Sequence, residues 1–303
     1  MSQLHPFRMG FDFPENHPRA KYFFAVMEDL VRAAGAARPL VINPDNILFP
    51  GAQTIDAIQG SQLDVGWMNA AHLERLHPAL SALNLPFGLS DDAMTDGAYQ
   101  DRLLDVINTC LRPEGLAVAA IMRGADQVFA MFDGPLYALG DLTGKRIRVA
   151  GPGVYEDLMY ALGATPVVMP ITDLREAVTQ RAIDGVFTSP GAWQTLLAGD
   201  LNFISRVPGL MMITYVAIVS TETLRDPSFA GAHESLQRNV SRNWDRMRED
   251  DNEILVQAGK IAQQNVISRP AEWKNAVQEL WRGLHEDQDD PRTVFLPFYD
   301  AAA

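Results

Sequence analysis

At 303 residues with 47% hydrophobic content, the chain is too long for one ordinary core and too apolar for disorder, so two compact lobes are expected. Its 38 acidic residues against 25 basic ones give a net charge of -13, which repels a polyanion and excludes an electrostatic footprint for nucleic acid or an anionic membrane surface. Cys110 is the only cysteine, which excludes an intramolecular disulfide, a Cys-rich zinc site and a CxxC redox pair.

Strand and helix patterns alternate along the chain. "PFRMGFDF" reads as a strand, and "YFFAVMEDLVRAAG" follows with Phe23, Val26, Met27 and Leu30 at helical spacing before a terminating Gly35. "PLVIN" begins a second strand, "TIDAIQGS" a helix and "LDVGW" a third strand. "NAAHLERLHPALSALNLPF" then carries a helix into a Pro-marked loop, and "LLDVINTCLRPEG" is an amphipathic helix holding Cys110 as a buried small residue. The alternation continues through "GLAVAAIM", "KRIRVA", "PVVMP", "DGVFTS" and "ITYVAIVS". Beyond residue 230 helical stripes dominate, with Trp244 and Met247 on one and Trp273, Val277, Leu280 and Trp281 on another. The longest apolar run, "LMMITYVAIVS", has about half the length that a spanning helix needs, so a soluble protein is expected.

"KRIRVAGPGVYEDLMYALGA" joins a strand to a helix through Gly151-Pro152-Gly153, with Asp173 twenty residues further on, which brings a dinucleotide-binding turn to mind. The chemistry argues against it. The third glycine is missing, Pro152 removes a backbone N–H, and Glu156 and Asp157 place negative charge where a pyrophosphate would sit. The two acids instead suit the dipole of the helix they open, and Asp173 is expected to cap the helix "DLREAV". Arg148 stands near the carboxyl end of its strand, where open α/β sheets hold ligands, and its guanidinium fork matches a carboxylate. By position alone a surface pairing with a nearby acid fits equally well. His72, Glu74 and His77 invite a metal reading, but residues five apart on a helix point about 140° apart, so no metal site is expected there. A G-x-S-x-G elbow and a P-loop lysine motif are absent.

"DLTGKRIRVAGPGVYEDLMYALGATPVVMPITDLREAVTQRAIDGVFTSP" resembles the central signature of the DctP-like solute receptors of TRAP transporters: a strand ending in a ligand-binding Arg, an "LGA-P" turn, a Pro after a short strand, a helix, then "DG". "FDFPENHPRAKYFFAVMEDL" is similar to that family's first β-α unit, "AIQGSQLDVGWMNAAHLERLHPALSALNLPF" to its second strand with "LPF", and "ITYVAIVSTETL" to its returning strand. The resemblance covers nearly the whole chain. It implies a type II-like periplasmic-binding-protein fold, two α/β domains with hinge strands and a long connecting helix. The expected division is residues 1–124 plus 214–252 against 125–213 plus 253–303, with the thin crossing near "MRGAD".

The resemblance also implies a function: an extracytoplasmic solute-binding protein that captures a small organic acid between two closing lobes and delivers it to a TRAP membrane permease. No cofactor, metal or chemical step is expected. Arg148 is then the carboxylate partner, helped by Thr188 and Ser189, with Phe187 and Trp193 as apolar walls and Ile171 as a further contact. Asp12, Asn69 and Trp67 are expected from the other lobe. Members with a second ligand Arg carry it in the segment matching "MRGADQVF", where this chain has Asp126, with Arg123 three positions earlier. Asp126 is either an acid in the pocket, favouring a ligand with one carboxylate plus hydroxyl or amino groups, or a solvated turn residue. The family is exported, so a periplasmic location is expected, although "MSQLHPFRMGFDFPEN" shows no basic segment followed by an apolar one. Two other classes share the cleft: a ligand-sensing module for a signalling partner, and an enzyme.

Overall fold

The computed structural model of the chain describes residues 6–11, 17–33, 40–43, 49, 51–268, 270–286 and 290–299. Asp12, Gly35 and the side chain of Leu30 lie outside the described set. From the N-terminus the chain runs β1 (Phe7–Phe11), α1 (Ala20–Ala33), β2 (Leu40–Ile42), α2 (Ala52–Gln59), β3 (Val65–Asn69), α3 (Asp91–Met94), α4 (Gly97–Leu111) and β4 (Leu116–Asp126). Then follow β5 (Val128–Met131), β6 (Arg146–Val149), α5 (Val154–Ala161), β7 (Thr165–Val168), α6 (Leu174–Thr179), β8 (Gly185–Thr188) and α7 (Pro190–Ala192). The last elements are β9 (Phe203–Arg206), β10 (Met212–Ser220), α8 (Thr221–Arg225), α9 (Pro227–Ala258), β11 (Gln263–Val266), α10 (Pro270–Ala276), α11 (Gln278–Glu286) and α12 (Leu296–Tyr299).

These elements form two compact units. The first comprises Met1–Leu80, Asp91–Arg123 and Thr214–Met247, the second Ser81–Ser90, Gly124–Ile213 and Arg248–Ala303. β4, β10 and the 32-residue α9 each carry the chain across the boundary. The first unit is built on a sheet of order β2-β1-β3-β10-β4, in which β1 pairs parallel with β2 and β3 while β10 pairs antiparallel with β3. All five residues of β3 are buried, as expected of a strand covered on both faces. Phe23, Val26 and Met27, the apolar stripe of α1, join Phe7, Phe11, Trp67 and Met247 in one core. At Gly66 an added Cβ would lie 2.3 Å from Thr54 Cγ2, so the glycine is what lets α2 seat on β3.

The second unit has a sheet of order β11-β9-β5-β8-β6-β7. Its strands β6, β7 and β8 run parallel, and β5 runs antiparallel to β8 and β9. Val128, Ala130, Val186 and Ile204 on one face bury against Leu174, Val178, Trp193 and Leu197. Gly124 lies where backbones nearly touch: a Cβ there would come within 2.6 Å of the Ile213 carbonyl oxygen.

The structure departs from the sequence-based reading in three places. "NAAHLERLHPALSALNLPF" forms two 3-10 segments, Ala70–Arg75 and Pro78–Asn84, in place of one helix. Pro78 has no N–H to continue an α-helical ladder, and His77 Nδ1 takes the Ala79 N–H instead. Asp173 does not cap α6; its carboxylate accepts from Thr172 Oγ1. The short strands β5, β9 and β11 also emerge, each only four residues long. At α5 the expected first-turn acids hold, and Glu156 Oε2 accepts from the Gly153 N–H at 3.1 Å.

Candidate ligand-binding site

Strand β6 carries two arginines with opposite surroundings. Arg146, at the exposed start, forks onto Asp184 with Nη2–Oδ1 at 2.8 Å. Arg148 lies beside Val167 of β7 and Val186 of β8 and is only 3% exposed. Its Nε and Nη2 donate to the Met169 carbonyl, at 3.1 and 2.8 Å, just past the end of β7. Among the described residues no carboxylate pairs with it. Burial brings its pKa down to about 10, opposed by the nearby Tyr155. The group remains a cation at neutral pH, with Nη1 and one Nη2 N–H making no bond to a described residue. A buried charge in that state carries the desolvation penalty without the compensating pair, which a bound anion would supply.

Other polar groups of the second unit gather at the same carboxyl edge. Thr188 ends β8 and is 5% exposed. Ser189 is the next residue; its Oγ accepts the Ala192 N–H at 3.1 Å, so the hydroxyl proton remains to be donated. Ile171 stands half-buried just beyond the Met169 carbonyl that holds Arg148.

The remaining expected residues have different settings. Phe187 is fully buried against Phe129, ring centroids 4.7 Å apart, on the sheet face opposite Arg148. Trp193 is a core residue whose indole N–H bonds the Leu201 carbonyl at 2.8 Å. Asp126 is exposed at the end of β4. In the first unit Trp67 is buried and stacked on Phe23 at 4.7 Å, which makes it core as well. Asn69 ends β3, and its Oδ1 caps the turn that follows by accepting from the Ala71 N–H at 2.9 Å. Asn43, just past the end of β2, has a positive φ of 43°, and its Oδ1 accepts from the Phe11 N–H.

Arg123, three positions before Asp126, is spoken for. It is fully buried and grips Asp91 with both Nε (2.7 Å) and Nη2 (3.3 Å), while the Trp244 indole N–H bonds the same carboxylate at 2.7 Å. His72 is held against Gly51, and burial lowers its pKa, with the Arg75 charge adding to the effect. Among the described residues no His, Cys, Asp and Glu cluster fits a metal ion.

The sequence matches the family described as bacterial extracellular solute-binding protein, family 7 (DctP) over residues 12–287. An uncharacterised protein of Haemophilus influenzae is 24% identical over 184 residues, 58% of this chain and about half (54%) of that protein. The C4-dicarboxylate-binding periplasmic protein DctP of Rhodobacter capsulatus is 22% identical over 285 residues, covering 91% of this chain and 83% of its own. In fold, the chain is similar to a TRAP periplasmic solute-binding protein of Xanthobacter autotrophicus solved with β-D-galacturonate, with a TM-score of 0.82 at 21% identity, over 97% of this chain and 99% of that one.

Proposed function

The chain belongs to bacterial extracellular solute-binding protein family 7, and from that premise we propose that it captures a small organic acid outside the cytoplasm, with Arg148 as the carboxylate partner, and hands it to a membrane permease of the TRAP type. The observation that carries this reading is a buried guanidinium with no acid among the described residues, at the carboxyl edge of a parallel run of strands. Met169 occupies one edge of the fork, which leaves Nη1 and the second Nη2 N–H to make two parallel bonds to a ligand carboxylate. Thr188 and Ser189 offer hydroxyls to its other polar groups, and Ile171 offers apolar contact.

The same geometry supports capture in place of catalysis. A guanidinium orients and neutralises an anion, but at neutral pH it neither attacks nor passes on a proton. Cys110, the one thiol, has its pKa raised by burial, which keeps it out of the reactive thiolate form. Among the described residues no helix is long and apolar enough to cross a membrane. The named acids of the relatives, C4-dicarboxylates and galacturonate, set the range of ligands to try.

A thermal-shift screen against sugar acids, hydroxy and keto acids, amino acids, aromatic acids and dicarboxylates tests the reading. A ligand at a hundred times its Kd stabilises the fold by about 2.7 kcal/mol, a rise of a few degrees in Tm. One responding class of acid supports capture. A flat response across the panel, repeated after partial unfolding and dialysis to strip any bound acid, refutes it.

A further inference from the structure

Three of the described arginines that are not exposed fork onto an acid. Arg8 forks onto Asp64, Arg123 onto Asp91 and Arg292 onto Asp290, while Arg19 bonds the Met247 carbonyl within a wider set of interactions. In a chain with 38 acids this is easily arranged. Arg148 and Arg206 meet no carboxylate in the described residues.

These two share a place. Arg206 is the last residue of β9 and is half-buried. The sheet register sets Thr188, Val128 and Arg206 side by side across β8, β5 and β9. The preceding row is Arg148, Val186, Ala130 and Ile204. Residues paired across a row project to the same face, and rows two residues apart keep that face, so Arg148, Thr188 and Arg206 share one side of the sheet at its carboxyl edge. Between the two arginines lie three strand spacings and a two-residue step along the strands, about 16 Å between backbones. Thr188 stands in that interval, and its buried hydroxyl makes no bond to a described residue.

We propose that Arg206 is a second cationic contact for the ligand, and that the ligand is an open-chain polyhydroxylated diacid: one carboxylate on Arg148, the other on Arg206, and a hydroxyl between them on Thr188. The inference rests on the capture reading above and narrows it from small organic acids to one class. A ligand with a single carboxylate leaves the half-buried Arg206 cation in the bound state without the anion that would offset its desolvation. A diacid satisfies both cations and replaces the missing acids with its own.

Calorimetric titration with glucarate and gluconate tests this, because the two share a carbon chain and differ in one terminal group; galactarate and galactonate form a second such pair. The wild-type protein is expected to bind the diacid of a pair at least ten times more tightly. Arg206→Gln is expected to melt at the wild-type temperature, to weaken the diacid, to hold the monoacid at least as tightly as the wild type does, and so to bring the two acids within about threefold of each other. Preference for the diacid that survives intact in Arg206→Gln overturns the assignment. Binding of other acids with neither diacid bound overturns the ligand class while leaving capture standing. Failure of every acid to bind the wild type removes the capture reading, and this inference with it.

Discussion

Replacing Arg148 with Met separates a binding role from a structural one. The side chain is 3% exposed and its only protein acceptor among the described residues is the Met169 carbonyl, reached by Nε and Nη2. Met fills similar space without charge. The empty protein loses about 1–3 kcal/mol of charge-assisted hydrogen bonding and regains the desolvation cost of an unpaired buried cation, a term of like size. Its stability should therefore stay within about 1–2 kcal/mol of wild type. The liganded protein is affected far more, because a desolvated carboxylate would be left unpaired at a cost of about 3–5 kcal/mol, or roughly a hundredfold to several thousandfold in Kd. Urea unfolding of the empty protein reads the first quantity and calorimetry with a binding acid the second. Micromolar binding retained by Arg148→Met, or a loss of more than about 3 kcal/mol in the empty protein, would refute the reasoning.

Arg123→Met gives the opposite outcome: it leaves the half-buried Asp91 beside Trp244 without its guanidinium, and a loss of about 1.5–3 kcal/mol is expected in the same urea experiment. Gly124→Ala forces a methyl to within 2.6 Å of the Ile213 carbonyl, so a lower Tm is expected, whereas Gly140→Ala, where a Cβ meets nothing within 4 Å, should leave Tm within a degree or two. His17 has its pKa lowered to about 3, first by burial and then by the Arg19 charge. The unfolded chain therefore takes up the proton first, and stability falls as pH drops from about 6.5 toward 3, by about 2 kcal/mol at pH 5. His17→Asn should flatten that limb of a stability-against-pH curve, and an unchanged acid limb contradicts the assignment.

Much of this was legible in the sequence because the signals were local. Phe23, Val26 and Met27 at helical spacing predicted α1, and the β-branched runs "KRIRVA" and "ITYVAIVS" predicted β6 and β10. Arg148 could be placed at the end of its strand, but its isolation from acids depends on what β7 and β8 bring alongside, which spacing does not encode. Aromatic residues were the least legible. Trp67 and Phe187 lie near the carboxyl ends of β3 and β8, and Trp193 in the helical segment after β8, yet each is turned into a core, where stacking or an indole N–H bond to a carbonyl occupies it. Arg206 was invisible for another reason. "NFISR" is too short and too mixed to declare a strand, and only the pairing of Val128 with both Thr188 and Arg206 shows which neighbours that arginine has.

Capture without chemistry predicts that the protein binds an organic acid and releases it unaltered. Titrating the purified chain with the best acid from the screen, then recovering that acid after prolonged incubation and examining it by NMR, tests both halves together. One acid bound per chain, recovered unchanged, is the predicted result; an acid that is consumed, or one that binds as well when its carboxylate is converted to an amide, contradicts the account.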